Sequence, residues 1–176
     1  MHKLDSPTKT AIVVRRANAR LVVIDGTFGS GKTTLAKALA RRLGYTAFHL
    51  DKFVAKRRGG FIKYLRHQRL IPRIKSSRRS IVEGVCALRA LERMRLGCNL
   101  LIYVKRVSHG VWTDEQELVP LVGLESHIET LRSEDATICG AIGRTPDFAF
   151  EEEIIRYHAN YTPYIGAGIE YCRADA

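Results

Sequence analysis

The stretch that most constrains this chain runs from Leu21 to Gly44. Leu21-Val22-Val23-Ile24-Asp25 is an almost unbroken apolar run that leads straight into Gly26-Thr27-Phe28-Gly29-Ser30-Gly31-Lys32-Thr33. Leu35, Leu39 and Leu43 then repeat at helical spacing, and Gly44 follows as a C′ stop. An apolar run without alternation predicts a strand buried on both faces of a parallel sheet. A strand that turns through glycines into a helix, with further strands and helices alternating behind it, predicts right-handed βαβ crossovers. The expected fold class is therefore α/β, a three-layer domain with a parallel core.

The glycine turn matches G-x-x-x-x-G-K-[ST] at every fixed position, with the strand before it and the helix after it that the mechanism of this pattern demands. The glycines let the backbone curl so that successive N–H groups converge on a phosphate, and the helix N-terminus adds its positive dipole end. The expected phosphate-binding set is Gly26, Thr27, Phe28, Gly29, Ser30, Gly31, Lys32, Thr33 and Thr34. In it Lys32 reaches the β- and γ-phosphates, and the Thr33 hydroxyl completes a Mg²⁺ site. The implied ligands are ATP, or GTP, and Mg²⁺.

Elsewhere, Ala11 to Val14 reads as an N-terminal edge strand and Thr46 to Leu50 as a second core strand. A helix with apolar contacts is expected around Phe61 to Leu70, interrupted near Pro72. Ser80 to Gly84 and Asn99 to Val104 read as buried strands, with a helix over Ala87 to Leu96 between them. Within residues 107–150, a lid-like region, Glu115 to Arg132 is expected to be partly helical and residues 133–150 largely irregular. Phe150 to Tyr161 reads as a helix and Gly168 to Cys172 as a final strand. The 176 residues are expected to form one domain.

Three carboxylates stand at strand C-terminal ends, where ligands bind in such sheets. Asp25 is read as shaping the turn. Asp51 would face the γ-phosphate and could accept a proton from an attacking hydroxyl. Glu83 would hold Mg²⁺ directly or through water. His49, His109 and His158 have no partner at catalytic or metal spacing and read as packing or surface residues, and Trp112 and Tyr157 as core or rim.

The segments LVVIDGTFGSGKTTLAKALARRLG, HLDKF and SIVEGV together resemble the uridine kinase-like branch of the P-loop kinases, and EEIIRYHANYTPYIGAGIEY resembles a C-terminal segment of that group. The resemblance runs from about Leu21 to Tyr171. It implies a sheet of order 2-3-1-4-5 and transfer of the ATP γ-phosphoryl group to the hydroxyl of a small molecule, nucleoside-like or other. It puts Lys32 on the phosphates, Thr33 on Mg²⁺, Asp51 as base and Glu83 as metal-associated acid. Related kinases often carry an arginine-rich lid after the fourth strand. Here Ser108 to Glu117 is acidic, and spacing selects none of Lys105, Arg106, Arg132, Arg144 and Arg156 for that role.

Charge opens a second reading. Residues 52–79 contain eleven Lys and Arg and no acid, while the rest of the chain balances 18 basic against 18 acidic residues. Such a block suits a solvated helix face, an anionic acceptor or nucleic acid. The alternative to a kinase is a nucleotide-dependent module that binds RNA or DNA through Arg57, Arg58, Arg78 and Arg79. No apolar run approaches membrane-spanning length, and the first residues have no signal-like apolar core, so a cytoplasmic chain with reduced cysteines is expected.

Overall fold

A computed structural model of the chain describes residues 1–55, 60–120, 123–145 and 147–174. A seven-stranded sheet forms its centre: β1 (His2–Leu4), β2 (Leu21–Gly26), β3 (Thr46–His49), β4 (Ser80–Glu83), β5 (Leu100–Ser108), β6 (Val111–Trp112) and β7 (Ile169–Ala174). The order across the sheet is β1-β7-β5-β2-β4-β3, and all of these neighbours pair in parallel. Only β6 departs, as an antiparallel hairpin arm on β5. Counted from β2, the strand that enters the glycine turn, β3, β4, β2, β5 and β7 stand in the order 2-3-1-4-5.

The helices are α1 (Pro7–Arg16), α2 (Lys32–Leu43), α3 (His67–Ser76), α4 (Ala87–Arg93), α5 (Glu115–Leu118), α6 (Leu124–Ala141) and α7 (Ala149–Tyr161). Alternate residues of the central strands feed two cores. Val22, Ile24, Ile81, Ile102, Val104 and Ile169 pack under α1 and α2. Val23, Val82, Leu101 and Tyr103 pack under α3, α4 and α7 on the other face. Burial on both faces explains why β2 reads as a continuous apolar run. Leu39, fully buried on α2, is representative of the helical contribution.

Four expectations are corrected. Ala11 to Val14 is helical, because Ser6 caps α1 by accepting from Thr8 N at 3.3 Å and Pro7 opens the first turn. Ala11 and Val14 then share the buried face while Ile12 is exposed. The N-terminal edge strand exists, but it is His2–Leu4 against β7. Phe61 is followed by a 3₁₀ turn over Ile62–Tyr64, and α3 starts at His67 and runs through Pro72, which faces solvent while Leu70 and Ile74 anchor the helix. Residues 133–141 continue α6. That helix buries Ile128 and half-buries Leu124 and Leu131, but past Leu131 none of its residues is buried and Ile138 is exposed, so its second half has no apolar stripe to betray it; ion pairs from Arg132 to Glu152 and from Arg156 to Glu125 tie it to α7. Among the described residues, no helix is long and apolar enough to cross a membrane.

Candidate functional site

The glycine turn sits where β2 feeds α2, at the C-terminal ends of the parallel strands. Gly26 has φ +148°, and a Cβ there would stand 2.6 Å from Val104 O of the adjacent strand, so no side chain is accommodated. Gly31 enters α2 with φ +95°, the left-handed region that favours glycine. Between them, Ser30 N donates to Thr27 O at 3.3 Å and closes the loop.

Lys32 is buried with its ammonium folded back on the loop, donating to Thr27 O and lying 3.5 Å from Ser30 Oγ. Burial holds it below the usual lysine range, a shift opposed by Asp25 and Glu83. Asp25 is fully buried on the other side of the loop. It accepts from Gly26 N at 2.7 Å, from Ala87 N at 3.1 Å and from Tyr157 Oη, while burial raises its pKa. It shapes the turn and locks it to α4 and α7.

Thr33 and Glu83 are brought together: Thr33 Oγ1 donates to Glu83 Oε1 at 2.9 Å. The same oxygen lies 2.5 Å from His49 Nδ1, and both His49 and Glu83 are buried. The partner of His49 was not visible from spacing, because 34 residues separate it from Glu83 and the contact arises from the parallel register of β3 and β4, in which the two are paired. Asp51 lies two residues beyond β3, exposed, with Oδ1 accepting from Lys52 N at 2.9 Å.

Lys32, Thr33, Glu83 and Asp51 open on one cleft of about 460 Å³. Phe28, Phe61 and Phe150 wall it, with the Phe150 ring centroid 6.2 Å from each of the other two. Glu153 on α7 holds this wall in place: its carboxylate accepts from Phe61 N at 2.6 Å and from Ile62 N at 3.0 Å. Glu153→Ala would leave two part-buried N–H groups without their acceptor. It is expected to cost about 1–3 kcal/mol in denaturant unfolding.

Of the basic residues from the end of β5 onward, Arg106 reaches the loop through Asp114. Its guanidinium holds Asp114, whose Oδ2 accepts from Thr27 Oγ1 at 2.8 Å. Lys105 instead pairs with Glu170 at 2.8 Å and lies over the Trp112 ring, and Arg132 and Arg156 are taken up in the α6–α7 ion pairs. Sequence reasoning missed Arg173. Paired in register with Arg106, it crosses the loop and its Nη1 donates to Gly29 O at 2.9 Å. With Tyr171, Pro7 and Thr34 it borders a second hollow of about 340 Å³ beside the first turn of α2. His158 bonds to Tyr103 Oη at 2.9 Å and to Ile154 O at 2.8 Å, and burial lowers its pKa, as suits a neutral core histidine.

A solved structure described as a possible uridine kinase from Bacillus stearothermophilus superposes on 94% of this chain and 96% of its own, with a TM-score of 0.54 and 14% sequence identity. The fold is the three-layer α/β fold of P-loop NTPases. No family model matches the chain. Two curated relatives align with part of it: shikimate kinase 3, chloroplastic, of Oryza sativa subsp. japonica, 48% identical over 48 residues, and shikimate kinase of Geobacter sulfurreducens, 46% identical over 43 residues. These matches take in 27% and 24% of this chain and span 17% and 24% of the relatives' own lengths. In this fold the glycine turn, the ends of β3 and β4 and the cleft between them stand at the C-terminal edge of the sheet, where open α/β sheets bind their ligands.

Proposed function

We propose that this chain transfers the γ-phosphoryl group of ATP, with Mg²⁺, to a hydroxyl of a small molecule. The observation that carries the reading is the convergence of Lys32, Thr33, Glu83 and Asp51 on one cleft. Lys32 and the loop amides would hold the phosphates of the donor. Asp51 would take the proton of the acceptor hydroxyl as its oxygen attacks the γ-phosphorus and ADP leaves, a general-base role. Asp51 is exposed at the cleft mouth, so its carboxylate is free to meet an incoming hydroxyl without prior rearrangement of the core.

The donor set fits Mg²⁺. The Thr33 hydroxyl and the Glu83 carboxylate are hard oxygens, and they already lie together. Among the described residues no group of three or more His, Cys, Asp and Glu side chains forms a metal cage of its own; Mg²⁺ in phosphoryl transfer completes its shell with water and substrate phosphates. Bound there, the ion would neutralise charge on the transferred group. His49 would keep the Glu83 carboxylate oriented. Because the loop reads phosphates, GTP is the competing donor.

The three phenylalanines favour an acceptor with a flat or apolar face, which supports a nucleoside-like compound. The reading is tested by ADP release from Mg·ATP across nucleosides, nucleotides, cyclic polyols and short oligonucleotides. Stimulation by a ring-bearing small molecule supports it. Turnover indifferent to every acceptor, with nucleotide binding intact, would set it aside.

A further inference from the structure

The proposed reaction leaves most of the positive charge unused. Residues 6–82 hold nineteen Lys and Arg against two acids, Asp25 and Asp51, and both acids belong to the site at the C-terminal ends of the strands. At the opposite pole, where β2 and β4 begin, arginines from three separate segments meet. Arg15 and Arg16 lie in the last turn of α1, and Arg41 and Arg42 in the last turn of α2. Arg20 and Arg79 immediately precede Leu21 and Ser80, which are register partners on adjacent strands.

The scaffold holds several of these side chains in place without neutralising them. Arg15 Nη2 donates to Arg42 O at 3.4 Å. Arg79 donates to Tyr45 Oη at 3.2 Å and to Asn18 Oδ1, with its guanidinium over the Tyr45 ring. Arg78 and Arg79 border a shallow hollow of about 360 Å³ with Leu43 and Gly44. Among the described residues none of these arginines forms an ion pair, whereas Arg106, Arg132 and Arg156 in the second half each hold a carboxylate. Helix dipoles favour cations in the last turns of α1 and α2, but they do not account for Arg20, Arg78 and Arg79, nor for three segments (15–20, 41–46 and 77–80) without one acid.

The cations named here are arginines, whose planar fork suits bidentate contact with phosphate. Among the described residues these segments expose no aromatic ring on which unpaired bases would stack, and no large apolar side chain that would enter a lipid surface. We propose that this pole is a docking face for the sugar-phosphate backbone of double-stranded nucleic acid. It is separate from the glycine loop and engages the duplex without reading its bases. The face does not depend on kinase activity, so it stands or falls independently of that reading.

The test is fluorescence anisotropy of a short labelled duplex, as DNA and as RNA, titrated with the full chain between about 50 and 200 mM salt. Saturable binding is expected, with log affinity falling linearly in log salt and no displacement by saturating ADP. In Arg15→Gln/Arg16→Gln/Arg41→Gln/Arg42→Gln, affinity should drop and the slope should shrink by about one unit for each phosphate left without its arginine. These four side chains are exposed, and thermal unfolding verifies that the variant folds; Arg41→Glu alone gives a milder change in the same direction. The DNA and RNA arms identify which duplex is preferred. Absence of duplex binding, a slope unchanged in the variants, displacement by ADP, tighter binding of single strands, or tighter binding to phosphatidylglycerol vesicles would each overturn the proposal.

Discussion

Asp51→Asn is expected to remove acceptor-stimulated ADP release, lowering turnover by about 10²- to 10⁴-fold, the range of a positioned general base, while nucleotide affinity stays unchanged. The separation follows from where the side chain sits. Asp51 is exposed at the mouth of the cleft, and its hydrogen bond is to its own neighbour, Lys52 N. It holds neither the glycine turn nor the Thr33–Glu83 pair. Asn keeps the shape and loses the basicity, so the KM for acceptor should move little while kcat collapses. Steady-state kinetics with an active acceptor, alongside calorimetric titration with nucleotide, checks both halves. A variant with full turnover would remove Asp51 from the chemistry.

Lys32→Ala is expected to weaken nucleotide binding and also to depress turnover, by about 10²- to 10³-fold, the cost of one preorganised charge at a developing oxyanion. Its free-state geometry indicates how this comes about. The ammonium is buried and bonded to Thr27 O, and burial disfavours its charge. Phosphate oxygens would offer it a stronger partner than a carbonyl, so nucleotide binding relieves a desolvated cation. Removing that cation from the free protein also removes its desolvation cost, and the variant should stay folded. Thermal unfolding with and without nucleotide measures this: the free variant should melt near the parent, and the rise produced by nucleotide should largely disappear.

The glycine loop, its flanking strand and helix, and the sheet order were legible because their signals are local or carried by a specific resemblance. Glycines at fixed spacing and an apolar run need no knowledge of distant residues. Expectation failed where local chemistry competed. The apolar run Ala11 to Val14 suits a strand, but the Ser6-Pro7 start turns it into helix with a stripe of Ala11 and Val14. The length of α6 was invisible for the opposite reason: past Leu131 it buries no residue and follows no apolar pattern, and ion pairs with α7 hold the helix. Arg57 and Arg58, expected to contact nucleic acid, lie outside the described residues; Arg78 and Arg79 fall at the pole opposite the loop.

By itself, then, the sequence determined that this chain would present a glycine turn at the end of a buried strand, with Asp51 and Glu83 at the ends of neighbouring strands. Strand length and the direction of parallel pairing are enough to deliver them to one edge. Only the tertiary structure decided what surrounds that turn. His49 meets Glu83 across 34 residues, Thr27 meets Asp114 across 87, Glu153 grips Phe61 across 92, and Arg173 reaches Gly29 across 144. The separation of charge between the two poles arose in the same way, from which helix ends and strand starts the topology gathers. Such contacts depend on register and crossover, and no window along the chain contains both partners.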